Sequence, residues 1–161
     1  MKKILEIFTL KRTLTGLILI LVVMQFFTID KTNPESDPDQ DFIAMMNPPV
    51  EIANMLKISC YDCHSHETVY PWYTNLAPFS WWIKEHINHA REELNFSTWG
   101  TYDAGRVDHK LEEGVEKVKS AEMPLPSYLI IHSESKLSEA QREQLANYFQ
   151  ALRSGASEND D

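Results

Sequence analysis

The segment Cys60-Tyr61-Asp62-Cys63-His64 constrains this chain more than any other part of its sequence. The chain has only two cysteines, and both lie within these five residues. Two thiols three positions apart can each form a thioether with the two vinyl groups on one edge of a porphyrin, and the histidine that follows can reach the iron. The segment therefore predicts one covalently attached haem c, bound at Cys60 and Cys63, with His64 as the proximal iron ligand.

Two other uses of a Cys-x-x-Cys pair stay open. The pair is also typical of thiol redox sites, but those normally follow a strand in a βαβ unit, and this sequence has no sustained alternation of apolar and polar residues. The pair could instead be half of a zinc site, completed by histidines such as His64, His66, His86 or His89. Both alternatives predict a colourless protein.

The N-terminal 29 residues differ from the rest of the chain. Four basic residues occur within residues 2–12, and an uncharged, mostly apolar run follows from Leu14 to Ile29 without a small-residue cleavage site. This pattern is typical of an uncleaved signal anchor, and the positive-inside rule places residues 1–12 in the cytoplasm. We expect a single-pass helix in a bacterial inner membrane and a periplasmic domain. A cleaved export signal is the alternative, and it leads to the same compartment.

The net charge of the chain indicates which classes of partner it can bind. The formal net charge of the chain is −9, although its first 29 residues are basic, so the remainder is strongly acidic. An acidic domain repels nucleic acid, which excludes DNA or RNA as a partner. The acidic surface can serve solubility alone, or it can attract a basic redox partner. The redox partner that we expect is a respiratory or oxidoreductase complex of the membrane.

Residues 30–46 include four Asp, two Pro and one Ser and predict an acidic linker. Residues 154–161 predict a disordered acidic tail. Residues 47–153 form the predicted domain. Apolar residues recur there at helical spacing, with helix starts near Asn47, Pro78 and Asp103 and a capping box from Ser138 to Gln141. We expect an all-α, cytochrome c-like domain that wraps around the haem.

A six-coordinate iron needs a second axial ligand, and Met123 is the best candidate. Its thioether sulfur is a good ligand, and it lies on a proline-stiffened stretch, Met123-Pro124-Leu125-Pro126, before the last helix. His86 and His89, on the second predicted helix, are the alternative ligands. Among the aromatic residues, we expect Trp82 and Tyr128 to contact the haem.

Several stretches resemble the small bacterial haem-binding domain family, a group of exported proteins with one c-type haem. They are Cys60-Tyr61-Asp62-Cys63-His64-Ser65, Tyr70-Pro71-Trp72-Tyr73, Ser80-Trp81-Trp82, Glu93-Leu94-Asn95-Phe96-Ser97 with Trp99, Glu122-Met123-Pro124-Leu125-Pro126-Ser127-Tyr128 and Lys136-Leu137-Ser138. The resemblance extends from Asn47 to Arg153. It implies haem attachment at Cys60 and Cys63, with His64 and Met123 as iron ligands. His66 stands where the family usually has Asn.

Two functions follow from these features. With both axial positions filled, the protein transfers electrons and needs no acid–base residue. With an open distal site, it acts as a haem-based peroxidase or a sensor of small ligands, and His86, His89 and Arg91 could polarise the bound molecule. The sequence favours electron transfer.

Overall fold

The computed structural model describes residues 2–157, and the side chains of residues 9–154. Within these residues the chain forms helices and short 3₁₀ turns and no strand, which confirms the all-α class. The α-helices are α1 (Lys2–Met24), α2 (Phe42–Met46), α3 (Val50–Ser59), α4 (Tyr61–His64), α5 (Phe79–Glu93), α6 (Ala104–Lys119), α7 (Pro126–Leu129) and α8 (Glu139–Ser157).

The helix starts predicted near Pro78, Asp103 and Ser138 are confirmed, because α5, α6 and α8 begin at the residue that follows each of them. The start expected near Asn47 is not at that residue: Asn47 ends α2 in the left-handed conformation, and α3 begins at Val50. The Ser138 hydroxyl accepts a hydrogen bond from the Gln141 N–H at 3.2 Å, and the Gln141 side chain accepts one from the Ser138 N–H at 2.8 Å. This reciprocal capping box satisfies donors that α8 would otherwise leave unpaired. Asp103 caps α6 in a similar way, because its carboxylate accepts from the Arg106 N–H at 2.8 Å.

The two prolines after Met123 have different surroundings. Pro124 is buried and lies outside regular helix. Pro126 occupies the first position of α7, a helix of only four residues. Proline is tolerated there because the first N–H groups of a helix have no partner within the helix.

The chain divides into two compact units. The first consists of residues 1–32 and 70–86, and the second of residues 33–69 and 87–161. In the first unit, the side-chain amide of Gln25, just after α1, pairs with the backbone of Ala77 in both directions, at 3.0 and 3.1 Å. The Trp81 indole N–H donates to the Phe27 carbonyl at 2.7 Å. These bonds attach residues 77–81 to the end of α1.

The second unit has one hydrophobic core, to which α2, α3, α4, α6 and α8 contribute. Phe42 lies at its centre, with its ring centroid 4.8 Å from that of Trp99 and 5.3 Å from that of Phe96. Gly114 on α6 allows close packing with α8, because a Cβ atom there would lie 3.1 Å from the Phe149 ring. The core therefore joins segments far apart in the sequence.

The segment expected to be a linker differs from that expectation at its C-terminal end. Residues 38–40 form a 3₁₀ turn, residues 42–46 form α2, and Phe42 is fully buried. Asp37 and Asp41 cap these two turns through their carboxylates. The acidic residues that favour a linker in the sequence thus serve as helix caps around one buried aromatic anchor.

The sequence predicts a signal anchor at the N-terminus and a disordered tail at the C-terminus. Within the part of the chain that the structure describes, no helix is long and apolar enough to cross a membrane. The signal anchor stays a prediction. Of the expected disordered tail, residues 154–157 continue α8, and residues 158–161 lie outside the described residues.

Candidate functional site

Both cysteines and His64 lie on one helical turn. α3 ends at Ser59, and Cys60 then caps the short helix α4. The Cys60 carbonyl accepts hydrogen bonds from the Cys63 N–H at 3.2 Å and from the His64 N–H at 2.9 Å. Residues three and four positions apart on a helix share a face. The turn therefore presents two thiols and an imidazole from the same side of the backbone, as thioether attachment to one haem requires.

The imidazole of His64 is held by the backbone of the α5 C-terminus. Its Nδ1 lies 3.0 Å from the Ala90 carbonyl oxygen and 3.0 Å from the Leu94 carbonyl oxygen. Carbonyl oxygens only accept hydrogen bonds, so Nδ1 carries the proton and Nε2 keeps its lone pair. Burial lowers the pKa of His64, more than its two backbone hydrogen bonds raise it. The ring is thus neutral, and its tautomer leaves the Nε2 lone pair available to coordinate a metal.

Arg91 holds the chain that follows His64. Its Nε donates to the Ser65 carbonyl at 2.8 Å, and its Nη2 donates to the Asn33 and Thr68 side-chain oxygens, each at 2.8 Å. Asn33 in turn donates to the Thr68 carbonyl at 2.9 Å. Since Arg91 follows Ala90 directly, one helix end fixes both the imidazole and the backbone beyond it. We call these contacts the Arg91 clamp.

The two thiols are half-buried and form no disulfide. Burial, and to a lesser extent the neighbouring Cys63, raises the pKa of the Cys60 thiol to about 12. Burial and the Asp62 carboxylate raise the pKa of Cys63 to about 11. Reactive redox thiols have lowered pKa values, because the thiolate is the nucleophile. The surroundings of these cysteines therefore do not favour thiol exchange.

A zinc site would need further ligands beside the cysteine pair. Among the residues that the structure describes, no group of three or more His, Cys, Asp or Glu side chains is placed to hold a metal ion. The donors on this turn are compatible with haem, for which Cys60 and Cys63 would supply thioether bonds and His64 an axial imidazole.

Tyr128, which we expect to contact the haem, lies next to the motif. Its hydroxyl donates to the Asp62 carboxylate at 2.8 Å, and its ring stacks on His132 with centroids 4.2 Å apart. Burial and this hydrogen bond raise the pKa of Tyr128, so the phenol stays protonated. The structure thus brings α7 to the turn that carries the cysteines.

Met123 is half-buried and precedes α7 by two residues. Its N–H donates to the Lys117 carbonyl at 3.1 Å, which ties this stretch to the end of α6. Only four residues lie between Met123 and Tyr128, whose hydroxyl reaches the motif. Its role as the second ligand stays a prediction.

The other predicted residues lie in different places. Trp82 and His86 belong to the first unit, where their tilted rings have centroids 4.2 Å apart and His86 Nδ1 lies 2.8 Å from the Trp82 carbonyl oxygen. His89 belongs to the second unit and is exposed. The haem contact of Trp82 and the ligand roles of the two histidines stay predictions.

Sequence reasoning missed three contributors to the site. Arg91 was considered only as a distal polar group, yet it clamps the chain next to His64. Asp62, inside the motif, accepts from Tyr128 and from the Val69 N–H at 3.2 Å. The backbone carbonyls that orient His64 have no side-chain signature, so no sequence pattern could have shown them.

Comparison with known proteins agrees with this geometry. No curated protein and no solved structure matches the chain significantly. Residues 19–151, which include α2 to α7 and most of α8, match the family described as the haem-binding domain. The match covers most of the chain, and we conclude that this protein belongs to the haem-binding domain family.

Proposed function

We propose that this haem-binding protein carries one covalent haem c on Cys60 and Cys63, with His64 and Met123 as iron ligands, and transfers electrons. Family membership supports binding of haem in general. The covalent bonds, the ligand pair and electron transfer are our inferences from the site.

The observation that carries the proposal is the state of His64. Two carbonyl oxygens fix its Nδ1–H, burial keeps the ring neutral, and two cysteines share its helical turn. An imidazole prepared in this way needs no rearrangement to coordinate iron. Bound haem supplies a one-electron couple, while the protein sets its position and surroundings.

The polar contacts of Arg91 favour electron transfer over an open catalytic site. A peroxidase or ligand sensor needs a distal polar group directed at the bound molecule. Arg91 is instead committed to Ser65, Asn33 and Thr68, in contacts that hold the chain beyond His64. Electron transfer requires a haem held rigidly in the protein. The Arg91 clamp and the hydrophobic core provide that rigidity.

The first test is covalent attachment. The full chain is expressed with a c-type haem maturation system, denatured and extracted with acidified organic solvent, and its reduced pyridine haemochrome spectrum is recorded. We expect a c-type spectrum that stays with the polypeptide. The double variant Cys60→Ala/Cys63→Ala should retain no haem after extraction, whereas His109→Ala, an exposed histidine on α6, should behave as wild type. A colourless wild-type protein, from cells that mature a control cytochrome, would refute the proposal.

The second test addresses the distal ligand. Met123→Ala should lower the reduction potential and let added imidazole or carbon monoxide bind, because His/Met ligation raises the potential. Met46→Ala, on α2, is the matched control. If Met123→Ala leaves the spectrum and the potential unchanged, Met123 is not a ligand, and the second axial position is either filled by a histidine such as His86 or His89 or is open, in which case the peroxidase or sensor function replaces electron transfer.

We further propose that the domain acts in the periplasm next to the inner membrane. The basic start and apolar run of residues 2–29 support export, and tethering there would keep the haem at high effective concentration near a membrane redox partner. Fractionation of cells that express the full chain tests this, because haem c should sediment with the membranes and resist extraction by salt.

A further inference from the structure

The first unit exposes an unusual set of aromatic and apolar side chains. Their exposed fractions range from 50% for Trp82 to 81% for Phe26. We call the set the aromatic patch, and it consists of Phe26, Phe27, Trp72, Phe79 and Trp82. All five belong to the first unit, and large exposed apolar areas on a protein mark interaction surfaces.

The patch lies at one end of the apolar helix. The Gln25 amide pairs with Ala77, and the Trp81 indole donates to the Phe27 carbonyl, so residues 77–81 are attached where the apolar run of α1 ends. Phe79 and Trp82 are three positions apart on α5 and share a face. The patch therefore lies where an apolar environment around α1 would end.

The side chains of α1 show that such a medium is needed. Each residue from Leu17 to Val23 exposes between 48% and 60% of its side chain. Seven consecutive residues cover all sides of a helix, which has 3.6 residues per turn. No side of this stretch is packed against the protein. A helix that is apolar all round belongs in a protein core or in lipid.

Charge at the patch also agrees with a lipid surface. The domain is acidic overall, yet no Asp or Glu occurs from Tyr70 to Lys84, and the one charged residue there is Lys84. Its ammonium lies 3.2 Å from the Tyr70 hydroxyl. Bacterial membranes carry anionic lipids, which repel acidic surfaces and attract basic ones. Tryptophan and tyrosine are enriched at membrane–water interfaces, because their rings are apolar while the N–H or O–H reaches water.

We propose that the aromatic patch docks into the headgroup region of a lipid bilayer while the apolar run of α1 lies in the adjoining acyl region. The inference rests on the proposed membrane location, although it needs only that this run enters the lipid. It goes beyond haem binding, because it gives the first unit a function of its own. In this proposal, the first unit binds the lipid surface and holds the chain there.

The test uses full-length, haem-loaded protein in vesicles of phosphatidylethanolamine and phosphatidylglycerol. Two photoactivatable lipids are compared, one with its diazirine near the glycerol backbone and one with it at the acyl end, and labelled peptides are mapped by mass spectrometry. We expect the glycerol-level probe to label residues 72–82 and the acyl-end probe to label residues 14–23.

The outcomes separate the patch from the anchor. Labelling of residues 14–23 without residues 72–82 would overturn the docking of the patch and leave the anchor intact. Absence of labelling in both would overturn the membrane location itself. Labelling in both with an unchanged pyridine haemochrome assay supports the patch independently of the haem chemistry. Protection of residues 72–82 by a protein in native membranes, without lipid labelling in vesicles, would also refute the proposal.

Variants make the test specific. The triple variant Trp72→Ser/Phe79→Ser/Trp82→Ser should lose most labelling by the glycerol-level probe. Ile130→Ser, which changes an even more exposed apolar residue in the second unit, should not lose it. Because the triple variant could fold poorly, Phe79→Ser and Phe79→Trp are compared as well. Tryptophan at this position should retain the labelling that serine loses. Equal labelling of all these variants would refute the role of the patch.

Discussion

Loss of the Arg91 clamp should destabilise the protein strongly. Arg91→Met keeps much of the apolar stem but removes the donors to Ser65, Asn33 and Thr68. A hydrogen bond with a charged partner contributes about 1.5–3 kcal/mol, and a buried acceptor left without a donor costs about 1–3 kcal/mol. The three bonds share one partly exposed guanidinium and are not additive, so we expect a loss of about 3 kcal/mol.

The assay is urea unfolding of the haem-loaded protein, followed by far-UV circular dichroism. Single domains typically have a free energy of unfolding of about 5–15 kcal/mol, so a loss of this size is a large part of it. The urea midpoint should therefore fall clearly. Arg91→Lys should lie between wild type and Arg91→Met, because lysine keeps the charge but not the fork of donors. Hydrogen exchange at residues 65–69 should rise in step.

Arg153→Met is the matched control. Arg153 joins α8 to α6 through Asp108 and Glu112, whose side chains are half exposed, and such surface ion pairs contribute little. If Arg91→Met lowered the midpoint no more than this control, or left exchange at residues 65–69 unchanged, the clamp would not hold the turn and the reasoning would be wrong.

Three further predictions concern the core and the motif. Phe42→Ala should cost about 3–5 kcal/mol in urea unfolding, since it removes a fully buried ring, and Phe42→Leu should cost less. Burial and Asp41 raise the pKa of Tyr61 in the folded protein, so its contribution to stability is complete below pH of about 10 and is lost at higher pH, where the unfolded tyrosine ionises first. Tyr61→Phe should flatten the decline in the free energy of unfolding above that pH, and an unchanged slope would contradict this. Tyr128→Phe, which breaks the bond to Asp62, should cost about 1–3 kcal/mol without loss of covalent haem, measured by unfolding and by haemochrome.

Local patterns explain why much of the fold could be predicted. A capping box, an N-cap aspartate and a 3.6-residue apolar period act within one or two turns, so Ser138, Asp103 and the stripes of α5 and α6 indicate helices without knowledge of their neighbours. The cysteine spacing is also local, since one turn of α4 places both thiols and His64 on a face.

The composition of residues 38–46 predicts a linker, whereas the structure shows helical turns and a buried Phe42 there. Their Asp and Pro content is typical of a linker, and the single Phe42 gives no periodic signal. The ring is buried because Phe96, Trp99 and Phe149, from distant segments, surround it. Burial of this kind depends on partners that a local pattern does not contain.

The sequence by itself determined the helical class, the turn that carries both cysteines and His64, and the family, because each depends on residues close together in the chain. Tertiary structure alone decided which carbonyls orient His64 and that Arg91 clamps the segment after it, since these contacts join residues 26 to 58 positions apart. It also decided that residues 77–81 are attached to the end of α1, 52 to 54 positions away. Such contacts form only when the whole chain has packed, because their energy must offset the entropy of closing long loops.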